Sequence, residues 1–212
     1  MVPAMRGDLK AAHYLYQCLS AKECARLIVA MYQEHAPLDV YRYLLRWLWA
    51  SSWRALYEAV GADLSVVHLF MRGNFEIPRG MGPTVKAYRG TCDISPELAA
   101  FGMSWSLDRD VACHFAHRWC TGDNSEPLVI EANIPREHIL MYDGFVGFSE
   151  IVVIPITVDP TINYQVSSPV DDWFDGHIRH QAYIKKLYEQ RRMRLHELRE
   201  HAPTTQRELI DG

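Results

Sequence analysis

The amino-acid sequence predicts an α+β fold with helices at both ends and a mostly β core between them. Two observations predict this class. Apolar residues recur with a helical period towards both ends, whereas the middle holds short alternating runs rich in Val and Ile. The length of 212 residues suits a single domain. We divide it into a helical region 1–70, a β-rich core 84–158 and a C-terminal helix 171–200.

The composition is that of an ordinary globular protein. Hydrophobic residues make up 49% and charged residues 23% of the chain, far from the disordered class. The net charge of -4 means that a nucleic acid would have to be met by a local basic patch. The N-terminus lacks the apolar segment of a signal peptide, and no window approaches ~18 apolar residues. We therefore expect a cytoplasmic protein with no membrane partner.

The cysteine and histidine patterns predict neither a disulfide framework nor a metal site. The five cysteines form no CxxC pair, so we expect reduced thiols. His114 and His117 lie three apart on a predicted helix, but no Cys or carboxylate stands at a supporting spacing. His138, His177 and His180 are expected at the surface or in loops. The cysteines are Cys18, Cys24, Cys92, Cys113 and Cys120.

Residues 7–60 are predicted to form helices. Ser20 and Glu23 have the spacing of a capping box, and the helix that they begin should stop before Pro37. Asp39 is the predicted N-cap of the next helix, which should end near Gly61. The aromatic residues of that helix are expected to pack mostly in the core. They are Tyr41, Tyr43, Trp47, Trp49, Trp53 and Tyr57.

The segment 84–158 changes to a strand-like period. TVKAYRG alternates and ends at a glycine, and GMSWSLD is a short extended run. A short loop, TCDISPELAAF, is expected between these two strands, and DRDVACHFAHRW reads as a helix that begins near Asp108. PLVIEANI, HILMY and SEIVVIPITV are further strand-like runs, separated by Pro, Gly and Asp.

Residues 171–200 return to a helical period and are basic. Seven Arg or Lys residues stand between Arg179 and Arg199, against Glu189 and Glu197. The pattern is typical of a solvated helix face, and it also fits a patch that steers RNA or DNA. The apolar stripe of this helix is Ile184, Leu187, Tyr188, Leu195 and Leu198.

Three short motifs stand at the ends of predicted strands. The first is Tyr88-Arg89-Gly90. The second is Ser104-Trp105-Ser106, which runs directly into the helix that carries Phe115. The third is Phe148-Ser149-Glu150, at the head of a later strand. No GxGxxG follows a strand and no GxxxxGK[ST] is present, so neither a Rossmann fold nor a P-loop is indicated.

In this order, the motifs resemble the arginine–serine–glutamate branch of the ADP-ribosyltransferase superfamily. In that family an Arg ends the first core strand, an S-T-S-like motif ends the second, and a Glu heads a later strand. Here these places hold Arg89, Ser104-Trp105-Ser106 and Glu150. The resemblance covers 84–158, about a third of the chain. It implies a split, mostly antiparallel β core with a cleft, flanked by the N-terminal helices and the C-terminal helix.

The resemblance implies an enzyme that breaks the nicotinamide–ribose bond of its co-substrate NAD+, without a metal. Glu150 would stabilise the oxocarbenium-like ribose, and Arg89 would offer its fork of donors to the pyrophosphate. Ser104 would bind a ribose hydroxyl and hold the carboxylate in place. These three side chains are expected to converge on one pocket sized for a dinucleotide. The other expected NAD+ contacts are Tyr88, Gly90, Trp105, Ser106 and Phe115, with Gly90 allowing the backbone to approach the nicotinamide.

Two features depart from the family pattern. In arginine-modifying members the residue two before the catalytic Glu is another Glu, and here it is Phe148. A phenyl ring cannot engage a guanidinium as a carboxylate does, so transfer to arginine is not expected. Phe148 is assigned to the acceptor side, where it would stack on a base or be buried. Ser104 also follows Arg89 by only fifteen residues, so the helices precede the Arg strand instead of separating the two motifs.

Three functions stay open at the level of sequence. The favoured one is a mono-ADP-ribosyltransferase that acts on a macromolecular acceptor, a protein or a nucleic acid. The second is an NAD+ glycohydrolase, which would use the same residues with water as the acceptor. The third is a non-enzymatic binding module. Enzymes of this sort often act as toxins, effectors or weapons in conflicts between bacteria and phages, and such a role would bring an antitoxin-like partner.

Overall fold

Helices and strands follow one another along the chain broadly as the sequence predicts, and the α+β class is confirmed. The structure is a computed structural model that describes residues 7–61, 63–144, 149–159 and 161–201. The chain divides into two compact units. The first is drawn from residues 1–85, 134–143 and 151–158, and the second from 86–133, 144–150 and 159–212.

The first unit is mainly helical. Ser20 and Glu23 form the predicted capping box, in which the Glu23 carboxylate accepts from the Ser20 backbone N–H at 2.9 Å. Gly61 ends the third helix with φ 73, the left-handed conformation expected of a C-terminal glycine. The prediction of Asp39 as N-cap is wrong, because Pro37 holds that position and Asp39 lies in the first turn. The helices are α1 (Leu9–Cys18), α2 (Ala21–Gln33), α3 (Leu38–Val60) and α4 (Asp63–Gly73).

The core of this unit is formed by one stripe of each helix. Ile28, Leu44 and Leu48 are fully buried, and the buried Tyr41 donates its hydroxyl to the Leu69 carbonyl at 2.9 Å. Of the six aromatic residues of α3, only Tyr41 and Trp49 are buried, so the expectation that most would be buried is wrong. Those residues are distributed around the whole helix, whereas packing on one side covers a single stripe. The unit also contains β4 (Ile139–Asp143) and most of β5 (Glu150–Val153).

The second unit contains the other strands. These are most of β1 (Thr84–Cys92) and β3 (Pro127–Pro135), together with β2 (Ser104–Ser106) and β6 (Tyr164–Val166). They lie in the order β2-β1-β3-β6. β1 and β2 are antiparallel with Tyr88 opposite Ser106, and so are β3 and β6. The short strand β6 was not predicted.

Three helices complete the second unit. They are α5 (Pro96–Ala100), α6 (Arg109–Trp119) and α7 (Trp173–His201). α6 begins as predicted, with the Asp108 carboxylate accepting from the Asp110 N–H at 2.8 Å. α5 lies where a loop was expected, because Ser95 caps it and Pro96 suits the first helical position. α6 and α7 approach closely at Gly176, where a Cβ would come within 3.0 Å of Cys113.

The cysteine prediction needs a correction. Cys92, at the end of β1, and Cys120, directly after α6, form a disulfide with 5.5 Å between their Cα atoms. Reduced thiols were expected because the number of cysteines is odd and no CxxC pair is present. Only the packing of α6 on β1 brings Cys92 and Cys120 together. Cys18, Cys24 and Cys113 are free thiols. Within the described ranges, no helix combines the length and the apolar character needed to cross a membrane.

Candidate active site

Arg89 and Ser104 are joined across neighbouring strands. The Arg89 guanidinium donates from Nη1 to the Ser104 backbone carbonyl at 2.6 Å, and its exposure is intermediate. The same guanidinium lies against Gly102, where any Cβ would collide with it. Gly102 therefore makes room for this side chain, a role that the sequence analysis did not assign. Arg89 thereby fixes the backbone of the β2 strand.

Ser104 and Glu150 are joined by a short hydrogen bond. The Ser104 hydroxyl donates to Glu150 Oε1 at 2.5 Å, and both residues are half-buried. Because the carboxylate accepts this bond, its orientation is fixed. Arg89, Ser104 and Glu150 are thus brought together by contacts within the second unit. The dinucleotide-sized pocket expected at this place stays a prediction.

The backbone immediately before Glu150 is held in an uncommon conformation. Ser149 has φ 40, in the left-handed region that residues with a Cβ seldom adopt. Its carbonyl accepts from the Leu107 N–H at 3.0 Å, just beyond the end of β2. This bond ties the start of β5 to the strand that carries Ser104. A turn at Ser149 therefore directs Glu150 towards Ser104, and alternation patterns cannot reveal such a turn.

Tyr88 and Gly90, two of the expected NAD+ contacts, are half-buried and pack against other parts of the second unit. The Tyr88 ring packs against the apolar cluster of Ala112, Cys113, Ala116, Val129 and Trp173. It lies on the strand face opposite to Arg89, because successive residues of a strand alternate. Gly90 allows close packing within the protein, since a Cβ there would collide with the Ala112 carbonyl of α6. The physical reason for this glycine is the approach of β1 to a helix.

Trp105 and Ser106 have internal roles. Trp105 is 1% exposed and donates its indole N–H to the Gly102 carbonyl at 2.8 Å, so its ring supports the strand from within instead of forming a pocket wall. Ser106 is buried, and its hydroxyl accepts from the Asp108 N–H at 3.0 Å, which shapes the entry to α6. Phe115 is half-buried on α6 beside His114. Phe148 lies outside the described residues.

Four histidines lie between α6 and α7: His114, His117, His177 and His180. The sequence analysis had placed His177 and His180 at the surface or in loops. His180 is 2% exposed, and that expectation is wrong for it. The ring of His114 stacks on that of His177 with centroids 5.2 Å apart, and it lies 4.8 Å from the ring of His180. Burial, reinforced by the charges of His180, His177 and Arg118, lowers the pKa of His114 to about 4.

The neighbouring imidazoles are affected in the same direction. Burial lowers the pKa of His117, with the charge of His177 adding to it, and burial also lowers the pKa of His180. These rings are thereby held neutral in the packed interface. In the part of the chain that the structure describes, no group of three or more His, Cys, Asp and Glu side chains is placed to hold a metal ion.

A groove of about 540 Å³ lies between α6 and α7. Its lining includes His114, Arg118 and one face of α7, but not Arg89, Ser104 or Glu150. This groove is therefore distinct from the place where the three predicted catalytic side chains meet. The predicted apolar stripe of α7 is only partly buried. Ile184 and Leu187 are half-buried, whereas Tyr188 is exposed. The side chains of Leu195 and Leu198 lie outside the described part.

Comparison with known proteins finds no relative of this chain. No protein-family model, no curated protein and no solved structure matches the chain. Functional reasoning therefore rests on the residues themselves.

Proposed function

We propose that the chain is a mono-ADP-ribosyltransferase that uses NAD+ and a macromolecular acceptor. The observation that carries the proposal is the 2.5 Å hydrogen bond from the Ser104 hydroxyl to Glu150, with Arg89 bonded to the Ser104 carbonyl beside it. The side chains that the resemblance selects from three separate strands stand in one hydrogen-bonded chain. This is the arrangement that the proposed roles of the three side chains require.

The chemistry proposed for this arrangement is a substitution at the ribose carbon that bears nicotinamide. The bond from C1′ to the nicotinamide nitrogen breaks, and its electron pair leaves with nicotinamide. The ribose passes through an oxocarbenium-like state, whose positive charge the Glu150 carboxylate stabilises. An acceptor nucleophile then forms the new bond to C1′, and its proton passes through the carboxylate to solvent.

The roles of the two other residues follow from their contacts. The Ser104 hydroxyl holds the Glu150 carboxylate in one orientation. The carboxylate is then already in position when positive charge develops on the ribose. Arg89 holds the strand that carries Ser104 and supplies the positive charge that a pyrophosphate needs. In this assignment, Tyr88, Trp105 and Ser106 support the strands.

The test is the release of nicotinamide from labelled NAD+ with a cell lysate as the source of acceptor. Glu150→Gln should lower the rate on the order of 100- to 1,000-fold, because it removes charge stabilisation with little change in volume. Glu131→Gln is the matched control, since that carboxylate is also half-buried and hydrogen-bonded but lies on β3. A Glu150→Gln protein as active as Glu131→Gln would overturn the proposal.

The fate of the label distinguishes the neighbouring functions. Label on a macromolecule that resists free ADP-ribose as competitor supports transfer, and nuclease or protease sensitivity identifies the class of acceptor. Free ADP-ribose alone would assign the chain as a glycohydrolase. No turnover by the unaltered protein, together with a stably co-purifying partner, would assign it as a binding module.

A further inference from the structure

We propose that the groove between α6 and α7 binds single-stranded nucleic acid. We call this surface the basic groove and define it by Arg118 of α6 and by Ile184, Lys185, Tyr188 and Arg192 of α7. Its volume of about 540 Å³ is in the range of sites that hold a nucleobase-sized group. None of the residues assigned to NAD+ cleavage lies in it.

The charges of the groove complement a polyanion. Arg118, Lys185 and Arg192 are exposed on it, against Glu189 as its only acidic lining residue in the described part. Within those same described ranges, none of the three cations has a carboxylate oxygen within ion-pairing distance. Lys185 and Arg192 are seven residues apart, so they lie on the same helix face about 10 Å from each other. Exposed cations without carboxylate partners along one helix face suit the phosphates of a nucleic-acid backbone.

The apolar part of the groove favours a single strand over other polyanions. Tyr188 lies on the same face between the two α7 cations and is 66% exposed. The half-buried Ile184 lines the groove one turn before it. An exposed aromatic ring flanked by cations stacks on unpaired bases, which a duplex keeps in its interior and an acidic peptide lacks. The combination of cations, ring and groove therefore identifies single-stranded RNA or DNA as the occupant.

Residues of α7 that do not line the basic groove provide control variants. Lys186, Arg191 and Arg194 are also exposed, but their positions are rotated by about 100° to 180° from Lys185 around the helix axis. They add the same charge to the chain without lining the groove. Tyr183 provides the matching aromatic, since it is 49% exposed and does not line the groove.

The test measures the fluorescence anisotropy of a labelled oligouridine 12-mer at several salt concentrations, without NAD+. Replacing Arg118, Lys185 and Arg192 by Gln should make the slope of log K against log salt about two units shallower. Replacing Lys186, Arg191 and Arg194 by Gln should leave affinity within about threefold of the unaltered protein. Tyr188→Ala should weaken binding on the order of tenfold, whereas Tyr183→Ala should not.

Several results would overturn the proposal. These are an absence of binding by the unaltered chain, equal losses in the two triple variants, an unaffected Tyr188→Ala protein, and displacement of the RNA by poly-aspartate at equal charge. If the groove triple variant does not fold, judged by its thermal unfolding, the two tyrosine variants decide the matter. They change no charge.

That a bound strand is also the acceptor of ADP-ribose rests on the proposed function. In that case a nucleophilic amine or hydroxyl of the strand would form the bond to C1′ as nicotinamide leaves. The groove variants should then lose labelling of RNA while keeping nicotinamide release. Glu150→Gln should lose both and still bind the oligonucleotide, so failure of the catalytic assignment leaves the binding result readable.

Discussion

Two regions of the second unit contain partly buried polar side chains. In one region these side chains are joined by hydrogen bonds, and in the other they pack ring against ring. At the candidate active site, which is Arg89 inside β1 together with Ser104 and Glu150 at the starts of their strands, the groups are joined by hydrogen bonds of 2.5 and 2.6 Å. At the helix-pair interface, the facing sides of α6 and α7, four imidazoles pack ring against ring. Three of their buried nitrogens, including His114 Nδ1, have no hydrogen-bond partner in the described part.

The difference teaches what each region depends on. A hydrogen-bonded chain fixes orientation, so changes in it should affect a reaction more than the fold. Protonation of a ring packed in this interface costs free energy in the folded state, so changes there should affect stability first. The following experiments separate the two, from the largest expected effect to the smallest.

The largest effect is expected where β1 meets the helix pair. Gly90→Ala should cost about 3 kcal/mol or prevent folding, because its Cβ would collide with backbone atoms of Ala112 and Ala116, which cannot rotate away. The measurement is urea unfolding. Gly80→Ala is the control, since nothing lies within 4 Å of a Cβ there. Equal stability of the two variants would show that β1 does not approach α6 as closely as described.

The next largest effect is expected on stability at low pH, through the helix-pair interface. The pKa of His114 is about 4 in the folded chain and near 6.5 when unfolded, so the unfolded state takes up the proton first as pH falls. The free energy of unfolding should therefore decrease between pH 6.5 and 4 by up to about 3 kcal/mol. The partial exposure of the ring makes this loss smaller, because solvent screens its charge. His114→Gln should reduce this pH dependence, measured by thermal unfolding across that range. His68→Gln, at an exposed position of α4, should not, and equal pH profiles for both would count against the packed imidazoles.

Ser104→Ala should affect the reaction with little effect on the fold. Losing the bond to Glu150 should lower nicotinamide release about 10- to 100-fold, because the carboxylate is no longer held in one orientation. Ser95→Ala provides the reverse case, since it removes the cap of α5 and should cost about 1 kcal/mol of stability at unchanged activity. If Ser104→Ala lowers stability and not the rate, the contrast between the two regions fails.

The smallest effect is expected at the edge of the helix pair. Arg179 donates to both oxygens of Asp110 at 2.7 and 2.8 Å and to Asp172, and its contacts with the two carboxylates raise its pKa further. Because this ion pair is exposed, Arg179→Gln should cost less than about 1 kcal/mol, and the loss should vanish in 1 M salt. Unfolding of Arg191→Gln in the same buffers is the comparison. A larger, salt-insensitive loss would mean that the pair is buried.

Local patterns sufficed for most elements, and the family resemblance selected three side chains that the structure places in contact. Alternation located β1 and β2, the Ser20 and Glu23 spacing located a helix start, and the motif order brought Arg89, Ser104 and Glu150 together. What they could not reveal is set by distant contacts. Gly90 is needed because a helix lies over it, and Gly102 because a guanidinium does.

The same limit applies to the side chains that were placed incorrectly. Trp105 and His180 are buried, and His180 lies against His114 of α6, a contact that no periodicity within its own segment encodes. Strand β6 has only three residues, too few for an alternating pattern to be distinguished from a loop. The disulfide belongs to the same class, because its two cysteines meet only after β1 and α6 have packed.

That disulfide closes a covalent ring from Cys92 to Cys120, and the whole β2 strand with Ser104 lies inside it. A protease that cuts once within the ring would therefore leave both pieces attached to each other. On a gel run without reductant, such a nicked molecule would migrate as one species and separate into fragments only after reduction. The segment that carries the hydroxyl bonded to Glu150 is thus tethered at both ends to the part of the chain that carries Arg89.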